Sequence, residues 1–128
     1  MAKVLVVDDE EVTRFVTGRV LQDSGHDVTY AGDGESALER IRTGNFDVVV
    51  SDLAMPKMNG LQLVRAVHEL HPGLPVIAIS GQNADQLILA EDFGAVATIY
   101  KPVEPARLLS EIEKATQVEL GIWTQAYR

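Results

Sequence analysis

Phe46-Asp47-Val48-Val49-Val50-Ser51-Asp52 runs directly into Leu53-Ala54-Met55-Pro56-Lys57-Met58-Asn59-Gly60. Three consecutive valines suit a strand covered on both faces, and Pro56 forbids its continuation. Asn59-Gly60 can open a helix with Asn59 as N-cap, and Gln62, three residues on, completes a capping-box pattern. The stretch therefore reads as a buried strand that delivers one carboxylate, Asp52, into a loop ahead of a helix. In open α/β sheets the carboxyl end of a central strand is where ligands bind. Alone, Asp52 is equally well explained as a loop residue capping local amides, so its meaning depends on its neighbours.

The same grammar recurs on either side. Lys3 to Val7 reads as a buried strand with Asp8-Asp9-Glu10 at its exit. From Glu11 to about Ser24, Val12, Phe15, Val16, Val20 and Leu21 recur at helical spacing, and Gly25 supplies a stop. Asp27 to Ala31 is a short strand. Asp33 caps a helix whose inner residues are Ala37, Leu38 and Ile41, ended by Gly44. After Gly60 a helix carries Leu61, Leu63, Val64, Val67 and Leu70 and stops before Pro72. Leu74 to Ile79 is a fourth buried strand leading into Ser80-Gly81-Gln82-Asn83. Asn83 or Asp85 opens a helix with Leu87, Ile88, Leu89 and Phe93, closed by Gly94. Val96 to Tyr100 is the fifth strand, and Lys101-Pro102 leaves it. A last helix begins at Pro105, a position that favours proline, with Leu108, Leu109, Ile112 and Ala115 as its stripe. Strict alternation through five units predicts a doubly wound α/β domain: a parallel sheet, right-handed crossovers and helices on both faces.

Length and charge narrow the function. The chain has 128 residues, enough for one domain with a real core, which residues 1–119 supply. Residues 120–128 form a short tail whose Ile122, Trp123 and Tyr127 are expected to pack on the body, to fray or to serve as a partner-binding peptide. With 19 acidic and 11 basic residues the formal charge is -8, which argues against nucleic acid and anionic lipid as partners. The absence of cysteine excludes disulfides and thiolate metal sites. Only a few apolar residues precede Asp8, far short of a signal or membrane-spanning segment. The expectation is a soluble cytoplasmic protein.

The strand exits present Asp8 and Asp9, Asp52, Ser80 and Lys101 on one edge of the sheet. Each has a bland explanation singly, but three carboxylates, a hydroxyl and a lysine meeting by chance is a poor account. Two carboxylates about 4 Å apart repel by about 4 kcal/mol at an effective dielectric of about 20, so the cluster demands a cation. Hard oxygen ligands favour magnesium or manganese. A phosphoryl group arriving at Asp52 would have its charge balanced by the metal, Lys101 and the Ser80 hydroxyl.

With these residues in place, the chain resembles the receiver domain of two-component response regulators, here as a stand-alone unit. The resemblance rests on VLVVDDE at 4–10, DVVVSDLAMPKMNG at 47–60, VIAISG at 76–81, FGA at 93–95 and KP at 101–102. It implies a flavodoxin-like fold with strand order 2-1-3-4-5. It also implies that Asp52 accepts a phosphoryl group from the phosphohistidine of a sensor histidine kinase or a histidine phosphotransfer protein. Asp9, supported by Asp8, and the backbone carbonyl of Ala54 would hold magnesium with Asp52, while Ser80 and Lys101 would contact the phosphoryl oxygens. Output would pass to a downstream protein, with a homodimer through the fourth helix, fifth strand and fifth helix as one arrangement. Catalysis would be confined to the domain's own phosphorylation and dephosphorylation.

Two positions depart from the family pattern. An aromatic switch residue usually stands three positions before the lysine, where this chain has Thr98; Tyr100 directly precedes Lys101. Thr98 and Tyr100 share a strand face, so Tyr100, or Ile88 of the fourth helix, is expected to fill the space that Ser80 vacates on phosphorylation. Ala54 offers no side chain to shape hydrolysis. Two other readings stand beside the receiver. A constitutive interaction module of this fold would usually have lost the acceptor, the acids or the lysine, and none is lost. A magnesium-dependent aspartyl phosphatase wants a second Asp two residues after the nucleophile, where Ala54 stands. Gly32-Asp33-Gly34 lacks the third glycine of a dinucleotide fingerprint, and His68 and His71 lack zinc-helix spacing and read as solvent-facing.

Overall fold

Val48–Asp52, β3, is the middle strand of a five-stranded parallel sheet, and every residue in it is buried. A computed structural model describes residues 1–55, 58–81 and 84–116 of the chain. The other strands are β1 (Lys3–Val7), β2 (Asp27–Ala31), β4 (Val76–Ser80) and β5 (Ala97–Tyr100), in the order β2-β1-β3-β4-β5. The helices are α1 (Glu11–Asp23), α2 (Gly34–Thr43), α3 (Gly60–Leu70), α4 (Ala84–Asp92) and α5 (Pro105–Thr116). This is the doubly wound arrangement and the strand order expected from the sequence. The expected tail lies outside the described residues, as do Pro56, Lys57, Gln82 and Asn83.

Period-two alternation divides the core into two layers. Leu5, Val7, Val49 and Ala78 point to one face, where Ala37, Leu38 and Ile41 of α2 and Leu63, Val64 and Val67 of α3 cover them. Val4, Val6, Val48, Val50, Ile77 and Ile79 point to the other, against Leu21 of α1 and Leu108 and Ile112 of α5. Such a sheet needs apolar residues on both faces of its inner strands, which is why β1, β3 and β4 read as unbroken aliphatic runs. Among the described residues no helix is long and apolar enough to cross a membrane.

Helix ends follow the expected chemistry. Asp33 caps α2 by accepting from the Ser36 N–H, and Asn59 and Gln62 form the reciprocal capping box of α3. Gly25 and Gly94 hold positive φ (90° and 118°) just past α1 and α4, which a side chain would oppose. The β4 boundary differs from the sequence reading. Leu74 is taken into a turn by its hydrogen bond to the His71 carbonyl, so the strand starts at Val76.

Two helices also turn differently from the expected apolar stripes. In α1, Val12, Phe15 and Val16 are exposed, Val12 by 76%, whereas Gly18 and Leu21 are buried. The reason is close packing: a Cβ on Gly18 would fall on the Tyr30 ring, so α1 approaches β2 through its smallest residue and rolls the Val12–Val16 edge outward. Phe15 then meets Tyr30 edge-on, with ring centroids 5.1 Å apart. In α4, Ala90 is buried, with Leu87 and Phe93 packed at the core, while Ile88 and Leu89 face outward.

Candidate functional site

Asp52 ends β3 and is only 6% exposed. Its Oδ1 accepts from the Ala54 N–H at 2.9 Å, and its Oδ2 accepts from Lys101 Nζ at 2.7 Å. Both contacts follow from the parallel register. Asp52 lies opposite Ile79 and Ser80 opposite Tyr100, so the exits of β3, β4 and β5 step across one edge. The Lys101 N–H holds the Ser80 carbonyl at 2.9 Å, and the lysine stem then runs across Gly81, where an added Cβ would sit 3.0 Å from its Cδ. A side chain at position 81 would make the lysine stem give way by a few tenths of an ångström.

Asp8 leaves β1 beside this pair and is 5% exposed. Its N–H donates to the Ala31 carbonyl at 3.2 Å, and its Oδ1 accepts from the Glu10 N–H at 2.9 Å. Burial pushes the Asp8 carboxyl up from its ordinary range. The Glu10 N–H opposes this, the Asp52 charge adds to it, Lys101 opposes it, and Asp9 adds again. For Lys101, burial works against the ammonium. The hydrogen bond and charge of Asp52, with Asp8 and Glu10 behind it, outweigh that, and the lysine is held above its usual range. The site is thus a negative pocket partly neutralised by one lysine, itself about a third exposed (32%).

Asp9 and Ala54 are exposed at the rim, and Ser80 is fully buried at the end of β4. The residues expected at the site are therefore brought to one edge, although Asp9 stands farther out than Asp8. Among the described residues no set of three His, Cys, Asp or Glu stands ready to hold a metal ion. Magnesium does not require one, since it is commonly bound by one or two carboxylates and keeps several waters. The buried Asp8 carboxyl, raised partly by its like-charged neighbours, is the observation that fits a cation here. Asp52, Asp9 and the Ala54 carbonyl would complete the oxygen set. A cavity of about 20 Å³ lies beneath Asp8, Asp52 and Lys101, room for one water.

Thr98 and Tyr100 share the face of β5 toward α4, as strand periodicity requires. Thr98 Oγ1 donates to Glu91 Oε1 at 3.2 Å, and Arg107 Nη2 donates to the Thr98 carbonyl at 3.1 Å. Tyr100 is 53% exposed. His68 is exposed, as read from the sequence, but its ring lies over Gly94, where a Cβ would meet it at 2.6 Å. Sequence reasoning missed Gly81 and Arg14, whose Nη1 donates to the Asp8 carbonyl at 2.8 Å. No spacing rule separates either from an ordinary loop glycine or a solvated arginine.

Residues 4–113 match the response regulator receiver domain family. This chain belongs to that family. It is 38% identical over 116 residues to the chemotaxis protein CheY of Pseudomonas aeruginosa, covering 88% of this chain and 94% of that protein. It is also 38% identical over 126 residues to the protein-glutamate methylesterase/protein-glutamine glutaminase 4 of Geobacter metallireducens, covering 93% of this chain but 36% of that enzyme. The receiver thus corresponds to about a third of one relative and nearly the whole of another. Among solved structures, a receiver domain protein from Clostridium thermocellum superposes with a TM-score of 0.90 at 30% identity, over 95% of this chain and 99% of that one.

Proposed function

We propose that Asp52 is the phosphoacceptor of a two-component signalling system and takes its phosphoryl group from a phosphohistidine on a kinase or phosphotransfer protein. An Asp52 carboxylate oxygen forms the new P–O bond as the donor's P–N bond breaks, and the donor departs as neutral imidazole, keeping the proton already on its other ring nitrogen. The observation that carries this reading is the buried Asp52 carboxylate, clamped by Lys101 at 2.7 Å with the buried Asp8 carboxyl beside it. The Ala54 N–H and the lysine fix the carboxylate's orientation before the donor arrives. Lys101 then follows the negative charge onto the phosphoryl oxygens, and the Ser80 hydroxyl supplies a further hydrogen bond. Magnesium held by Asp9, Asp52 and the Ala54 carbonyl, with Asp8 in support, would neutralise charge developing on the transferred group.

Output runs through contacts made by α4 and β5, where Ile88, Leu89 and Tyr100 are exposed and Thr98 is linked to Glu91. Apolar exposure of this kind suits a protein partner or a second copy of the chain. A phosphatase reading is disfavoured because Ala54, at the place of the general acid, offers Asp52 only its N–H. The test is incubation with a small phosphoramidate, whose P–N bond imitates that of phosphohistidine, in the presence of magnesium. An acyl phosphate, labile to acid and to hydroxylamine, should form at one group per chain. Absence of labelling at saturating donor and magnesium would overturn the proposal.

A further inference from the structure

The sequence reading left Arg14 unused, and the structure gives it a definite place. It lies on α1, half-buried, and its Nη1 donates to the backbone carbonyl of Asp8 at 2.8 Å. That carbonyl belongs to the peptide joining Asp8 to Asp9. Fixing its direction fixes the plane from which both carboxylates depart. Two neighbours shape the space around the guanidinium. Its Cζ stands 5.7 Å from the centre of the Phe15 ring, which is in turn wedged edge-on against Tyr30. A Cβ on Gly32 would lie 3.3 Å from Nη1, so glycine leaves the space the guanidinium needs. The result is a line of contacts from Tyr30 through Phe15 and Arg14 to the acidic turn.

We infer that Arg14 is a positioning residue for a divalent cation at the acidic site, acting by holding the Asp8–Asp9 peptide rather than by touching the ion. This rests on the reading of Asp8, Asp9 and Asp52 as a cation site. An arginine next to a cation site opposes the ion by charge, so a purely electrostatic role predicts that removing it tightens binding. A positioning role predicts the opposite sign. Groups that orient metal ligands from behind typically change metal affinity by about 10–100-fold when lost. The lower end applies here, because one hydrogen bond to a main-chain carbonyl is at stake.

The experiment is magnesium titration of the full chain by isothermal calorimetry, without phosphodonor, alongside thermal melting of the metal-free proteins. Arg14→Gln should bind magnesium about 10-fold more weakly, with a metal-free melting point close to that of the wild type. Arg14→Lys keeps the charge but loses the rigid fork, and should recover only part of the affinity. Gly32→Val keeps Arg14 itself and displaces its guanidinium, so it should weaken binding in the same direction. Wild-type affinity in both Arg14→Gln and Gly32→Val, tighter binding in Arg14→Gln, or full recovery in Arg14→Lys would each overturn the inference. If the wild type itself bound no magnesium, the cation-site reading would fall first, and this inference with it.

Discussion

Gly60 joins the loop that follows Asp52 to α3 at a point with no room for a side chain. A Cβ there would stand 2.4 Å from Leu53 Cα and 2.5 Å from the Asp52 carbonyl oxygen, both main-chain atoms that cannot rotate away. The Gly60 N–H also donates to the Leu53 carbonyl at 3.1 Å, so any retreat lengthens that bond. Overpacking of this kind costs about 1–3 kcal/mol, and the unyielding backbone puts Gly60→Ala at the upper end. Helix propensity and a stiffer unfolded chain return about 1 kcal/mol at most. The net destabilisation is about 2 kcal/mol, which lowers the melting point of a domain this size by about 8 °C. Because the backbone that must move carries Asp52, phosphoryl uptake should slow as well. Circular-dichroism melting and urea unfolding measure the first effect, and phosphoramidate labelling measures the second. Gly73→Ala is the control, since its Cβ would meet nothing within 4 Å and should leave labelling unchanged and the melting point equal or slightly raised. A Gly60→Ala melting point within about 2 °C of wild type, with normal labelling, would refute the reasoning.

Asp8→Asn should stabilise the metal-free protein. With its folded pKa raised, Asp8 binds its proton more tightly in the native state; that stability is fully present below the unfolded value of about 3.9 and lost as pH rises through the folded one. The mutant's advantage in melting point should therefore grow from pH 4 toward neutrality, and a constant or negative difference would contradict this. Lys101→Gln leaves Asp52 without its ion pair and should cost about 1–2 kcal/mol, less than a fully buried pair because the lysine is partly solvated. Chemical denaturation checks it, and phosphoramidate labelling of the same mutant should be slower. Tyr100→Ala should weaken partner or self-association of the phosphorylated form more than of the unmodified form. Thr98→Ala, losing one solvent-exposed hydrogen bond to Glu91, should change either little; a larger defect at Thr98 than at Tyr100 would refute the assignment.

The layer structure was legible because a two-sided parallel sheet writes itself as aliphatic runs, and β1, β3 and β4 each carry one. Caps were legible for the same kind of reason: Asp33 and Asn59 each accept from the amide three residues on, so spacing alone specifies them. The convergence of Asp8, Asp52, Ser80 and Lys101 followed from parallel strands ending on one edge. What the sequence did not carry was the roll of α1 and α4 about their axes. Gly18 against Tyr30 turns α1 so that Val12, Phe15 and Val16 face out, and hydrophobic spacing holds no information about a glycine's close approach. Which of the adjacent Asp8 and Asp9 is buried was also hidden, since only the backbone decides which carboxylate turns inward. Arg14 and Gly81 act through the main chain or through the space they leave, which residue type alone does not announce.

The claim on which the account depends is that Asp52, and no other carboxylate, takes the phosphoryl group. Borohydride reduction of the labelled protein converts an aspartyl phosphate to homoserine, and peptide mass spectrometry then locates the change in the sequence. The account predicts homoserine at position 52 in the wild type and no acyl phosphate in Asp52→Asn. Reduction mapping to Asp8 or Asp9, or undiminished labelling of Asp52→Asn, would contradict it.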